Sequence, residues 1–175
     1  WLTGFDVPSL HTMEALRKLL NDSIKLRSQK FLVQSRSFAE MLEETIRKYH
    51  NRAIEAAQVI EELIRLAKEM REAHKRGEKM GLSEDELAFY DALETNDSAV
   101  KVLGDGTMRD IAREIVETVR GNVSIDWTVK DSVRAKLRAL VKRVLRKHGY
   151  PPDKAEKATQ TVLEQAELIC KDWVA

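Results

Sequence analysis

An all-α fold is predicted by three features of the chain. Charged residues make up 34% of its 175 residues, while glycine occurs seven times and proline three times. Apolar side chains recur at three-to-four spacing through nearly every stretch, the period of one face of a helix. That combination describes long, solvated helices rather than a β-rich or disordered chain. The expected architecture is an elongated multi-helix bundle with one very long helix over residues 38–75 and a C-terminal helical lobe.

The first helix is read from Thr12 to Arg27, with Leu16, Leu19, Leu20 and Ile24 on a shared face. Residues 28–37 mix serines with Phe31, Leu32 and Val33 and read as a partly buried connection. Ser37 and Glu40 have the spacing of a capping box, which places a helix start there. From Phe38 through Met41, Leu42, Ile46 and Tyr49 to Ala57, Ile60, Ile64 and Met70 the apolar stripe predicts one continuous rod of roughly 55 Å. A stripe of that length needs cover, either from a later helix returning along it or from a partner protein.

Gly77 and Gly81 are expected to end that rod. Ser83 and Glu86 form a second capping box, opening a short helix anchored by Leu87, Phe89, Tyr90 and Leu93. The stretch 96–106 reads as turn-rich around a helical turn at 98–103. Thr107 is the expected cap of a helix from Met108 to Arg120, burying Met108, Ile111, Ala112, Ile115 and Val119. NVSIDWTV reads as a short extended piece, with Trp127 as a core anchor. A basic helix follows over residues 129–148, stopped by Gly149, and Pro152 suits the first position of the last helix. The division expected is 1–13, 14–81 and 82–175, with 14–175 as a single domain the alternative.

Function classes fall away quickly. Formal net charge is only +1 and Cys170 is the sole cysteine, so neither bulk charge nor a multi-thiolate zinc site points to a ligand. The four histidines lack metal-ligand spacing. There is no GxxxxGK[ST] phosphate loop, no GxSxG elbow and no apolar run long enough for a membrane span. The reading is a cytoplasmic chain that is not itself an enzyme, with no catalytic residue, no metal and no cofactor of its own.

The strongest local feature is the basic helix. Arg134, Arg138, Lys142 and Arg146 fall at four-residue steps on one face, with Lys130, Arg143 and Lys147 beside them. Such a row could follow DNA phosphates, each neutralised phosphate adding to a salt-dependent affinity. Acidic cover from Glu156, Glu164 and Glu167 of the last helix would instead make it a solvated, internally balanced face. A continuous exposed positive stripe favours DNA; acidic cover opposes it.

Four segments carry a family resemblance: LVQSRSFAEMLEETIRKYHNRAIEAAQVIEELIRLAKEMREA, LSEDELAFYDAL, IDWTVKDSVRAKLRALVKRVLRKHGYPPDK and VLEQAEL. In this order they resemble the C-terminal helical region of the R (motor and endonuclease) subunit of type I restriction enzymes. The opening LTGFDVPSLHTM is similar to a G-x-D-x-P motif of that subunit's helicase motor. Gly4, Asp6 and Pro8 match it, and Thr3 stands where many related motors have arginine. The resemblance implies an irregular or extended motor fragment at 1–13, running directly into the helical domain without the intervening motor region. It further implies that ATP and Mg are bound upstream in the parent subunit, an ATP-dependent deoxyribonuclease. The helical region would dock that subunit onto methyltransferase and specificity partners.

Overall fold

The computed structural model describes every residue except 1, 2, 96, 124–126, 128 and 175, together with the side chains of 3–9, 97, 98 and 174. Among the described residues there are eight α-helices and no strand. They are α1 (Thr3–Arg27), α2 (Leu32–His50), α3 (Ala56–Met80), α4 (Glu84–Glu94), α5 (Asp97–Leu103), α6 (Asp105–Asn122), α7 (Asp131–Lys147) and α8 (Pro152–Val174). The chain divides into two compact units, one of residues 1–28 and 34–79, the other of residues 29–33 and 80–175.

In the first unit the predicted rod is broken. Residues 51–55 form a turn between α2 and α3, with Arg52 at φ +58°. The Ala53 N–H reaches back to the Lys48 carbonyl, and the Asn51 N–H to that of Arg47. α3 then returns antiparallel along α2. The Thr45 hydroxyl donates to Glu62 at 2.9 Å near the turn, and Arg27 donates to the Met70 carbonyl at the far end. The same guanidinium binds Gln34 and stands over the Phe38 ring, 5.7 Å from its centroid. The rod therefore supplies its own cover: Phe38, Leu42 and Ile46 pack against Val59, Leu63, Leu66 and Met70, with Met13, Leu20 and Ile24 of α1 closing the core.

Four boundaries move from where the spacing predicts them. The residues expected to be extended, Thr3 to Met13, begin α1 instead. Met13, Leu16, Leu20 and Ile24 share one helical phase and give α1 its buried face from Met13 onward. α2 starts at Leu32 rather than Ser37, which lies exposed inside it. Gly77 is buried within α3, and Gly81, at φ +67°, follows its end. α6 begins two residues before Thr107, after Gly104 at φ +79°. Asp105 fixes its first turn by accepting from the Tyr90 hydroxyl at 2.5 Å and pairing with Arg109 at 2.6 Å.

The second unit follows the sequence more closely. The Ser83–Glu86 capping box is present, with both reciprocal hydrogen bonds formed. α4 packs on α6 and α8, α7 lies against α6 and α8, and α5 covers part of α4 and α6. Phe89, Met108, Ile111, Ile115, Leu137, Leu145 and Ile169 are fully buried between them. Trp127 is buried in the same core, as its reading required, whereas most of the segment around it lies outside the described residues. α7 ends in a Schellman closure. Gly149 adopts φ +74°, the Tyr150 N–H bonds the Leu145 carbonyl, and the Gly149 N–H bonds that of Arg146. The Tyr150 hydroxyl then donates to the Leu93 carbonyl of α4 at 2.9 Å.

Candidate functional site

The basic row begins with Leu137, Val141, Val144 and Leu145, which turn one face of α7 into the core and leave the cations outside. Their surroundings divide them. Arg134 pairs with Glu167 at 2.7 Å, and Glu156 holds both Arg138 and, at 2.6 Å, Lys142. These acids belong to α8, so this part of the row staples α7 to α8. Each exposed pair contributes about 0–1 kcal/mol, and a carboxylate shared by two cations mainly fixes register.

At the end of α7, Lys147 pairs with Glu114 of α6 at 2.9 Å, and His148 Nε2 lies 2.6 Å from the same carboxylate. The hydrogen bond to His148, followed by that from Lys147, holds the Glu114 carboxyl below its ordinary range. Lys130 is the N-cap residue of α7, without a side-chain capping bond. Arg143 and Arg146 are exposed and have no ion pair among the described residues. Gly4, Asp6 and Pro8 lie in the first turns of α1, with side chains outside the described set.

Three polar groupings escaped the sequence reading because their members lie far apart in the chain. Gln165 of α8 is fully buried; it accepts from the Leu32 N–H at 2.9 Å and donates to the Lys30 carbonyl at 2.6 Å. Asp85 accepts from Arg120 at 2.8 Å and from the Trp173 indole at 3.1 Å, and Arg120 stacks 4.7 Å above that ring. Lys30 closes on Glu84 at 2.5 Å beside Asp85, which raises its pKa. These ties join α4 to α6 and α8, and fasten the turn before α2 to α4 and α8. Cys170 is buried, and desolvation, with Asp85 adding to it, pushes its thiol up to about 12. A thiol in that state is a poor nucleophile.

Among the depressions that the described residues line, two are open to solvent. One of about 250 Å³ lies between α2 and α3, lined by Thr45, Lys48, Glu62, Arg65 and Glu69 among others. The second, of about 390 Å³, lies where α7 ends and α8 begins, lined by Lys142, Arg146, Tyr150, Ala155 and Glu156. Among the described residues no group of three His, Cys, Asp or Glu side chains could hold a metal ion. No helix among them is long and apolar enough to cross a membrane.

Residues 8–172 match the family described as type I restriction enzyme HindI endonuclease subunit-like, C-terminal. The chain is 40% identical over 160 residues to the type I restriction enzyme HindI endonuclease subunit of Haemophilus influenzae, covering 91% of this chain and 15% of that protein. It is 38% identical over 140 residues to a provisionally assigned type I restriction enzyme MjaIXP endonuclease subunit of Methanocaldococcus jannaschii, covering 79% of this chain and 13% of the relative. The chain thus spans about one-seventh of the length of these relatives. No solved structure gives a significant match.

Proposed function

Because the chain belongs to the family of type I restriction enzyme endonuclease subunit-like C-terminal domains, we propose that it is a non-catalytic docking domain. It joins the motor- and nuclease-bearing part of its subunit to the methyltransferase and specificity subunits of a cytoplasmic restriction–modification assembly. The family match over residues 8–172 carries this reading, since it aligns the chain with a C-terminal part of a subunit that works in a multi-subunit enzyme. ATP and Mg would be handled by upstream parts of that subunit.

Two features of the chain support it. Its polar groups are used to tie the fold together: buried Gln165, part-buried Asp85 and Glu114, and exposed Glu156 each join segments distant in sequence. Meanwhile α1 exposes Leu19 and Leu26, at 63% and 69%, seven residues apart and so on one helical face. Such apolar spacing suits a helix laid into a partner's groove.

The test is to mix the purified chain with its cognate methyltransferase–specificity complex and follow the mixture by sizing chromatography with light scattering. Co-elution is expected, weakened in the Leu19→Asp, Leu26→Asp double variant, with no ATP turnover by the chain alone. A folded chain that does not associate with its cognate core removes the reading.

A further inference from the structure

The ion pairs of α7 leave a second cationic face that shares only Arg146 with the four-residue row. Lys136, Arg143 and Arg146 are exposed and have no ion pair among the described residues. At 100° per residue they fall within about 80° of one another, and they extend along about 15 Å of helix axis. Between them on this face stands only Ala139, and Ser132 and Ala135 continue it toward the start of the helix; all three are exposed. The helix carries one acid, Asp131, in its first turn. The neighbouring acids are engaged elsewhere: Glu156 with Arg138 and Lys142, Glu167 with Arg134, and Glu114 with Lys147 and His148.

We infer that this outward face of α7 contacts the phosphate backbone of nucleic acid without reading its sequence. Two properties select that ligand. Small side chains along this face let a broad, charged backbone approach the helix closely. The face also has no exposed large apolar side chain within α7, since its Leu and Val residues are buried or half-buried. A protein partner would need such a side chain to form the desolvated centre of an interface. Arg guanidinium groups suit phosphate oxygens through paired N–H donors, and Lys136 adds a point charge. The inference is independent of the docking role, which uses other residues.

The experiment is fluorescence anisotropy of the full chain with a labelled duplex of about 30 base pairs and arbitrary sequence. With three phosphates neutralised, the log–log salt slope should lie between about −2 and −3, so affinity drops about 40-fold between 50 and 200 mM salt. The triple variant Lys136→Ala, Arg143→Ala, Arg146→Ala should bind at least tenfold more weakly at low salt, with a slope near zero. A control removing the same charge from exposed lysines elsewhere, Lys101→Ala, Lys157→Ala, Lys171→Ala, should change affinity less than twofold. The inference is overturned by no binding at low salt, by a triple variant that binds like the parent, or by an equal loss in the control. Poly-glutamate binding the same face more tightly than DNA would assign it to an acidic protein partner, and would equally overturn it.

Discussion

Gln165 and Leu32 are joined across most of the chain: the buried amide oxygen of α8 accepts the first N–H of α2 at 2.9 Å. That N–H is among the donors that a helix cannot satisfy internally. The amide's other end donates to the Lys30 carbonyl, so one side chain serves both backbone groups of a segment that belongs to the second unit. A distant residue thus does the work of a local cap. This accounts for α2 beginning at Leu32 while the capping-box spacing at Ser37 goes unused.

Replacing Gln165 should be costly for the same reason. Gln165→Leu keeps the volume but strands a donor and an acceptor, at about 1–3 kcal/mol each. Urea unfolding should show a loss of several kcal/mol, well beyond a surface substitution. A loss below about 0.5 kcal/mol would mean that the amide does not hold this segment.

The turn between α2 and α3 makes a prediction of opposite sign from the continuous rod. Arg52 sits at φ +58°, a conformation that costs an ordinary L-residue about 1–2 kcal/mol. Arg52→Gly should therefore leave stability unchanged or raise it slightly, and Arg52→Val should lower it by more than 1 kcal/mol. In an unbroken helix glycine would instead be the worse choice, by several tenths of a kcal/mol. Thermal melts of the two variants decide between the arrangements.

Cys170 tests the second core without perturbing it. Its thiol is buried and raised to about 12, so thiolate is scarce at neutral pH and access is blocked. Reaction with a thiol reagent at pH 8 should be slow in the native chain and rapid in denaturant, with the native rate following unfolding. Fast labelling of the folded chain would contradict the packing of α8 against α4.

How far the residues alone reveal this molecule depends on how local each determinant is. The fold class, the capping box at Ser83 and the buried face of α6 rest on short-range spacing and appear in the structure as read. The break at 51–55 contains neither glycine nor proline, and apolar residues keep a helical period on both sides. An antiparallel return preserves that period, so the pattern cannot distinguish a rod from a hairpin. The basic row shows the same limit for charge. Its cations are plain in the sequence, but whether they meet solvent or acid depends on Glu156 and Glu167, which another helix carries. Gln165 stands three residues after Val162 and four before Ile169, on the apolar face of the last helix, but residue type argues the other way, since a glutamine in a charged helix normally faces water.

Glu114 gives the last prediction, and its sign follows from its partners. The hydrogen bond to His148 and then that from Lys147 hold the folded carboxyl below its ordinary 4.5. A group depressed in the folded state contributes stability above its unfolded pKa and loses it as pH falls through the lower, folded value. The contribution should therefore be complete at neutral pH, begin to decline near 4.5 and vanish at more acidic pH. Glu114→Gln removes the ionisable partner, so its stability deficit relative to the parent should be largest near neutrality and shrink as the solution is acidified. Urea midpoints of both chains at several pH values measure that difference directly. A deficit that stays constant or grows toward acid would show that the carboxylate is not stabilised by its contacts at the end of α7.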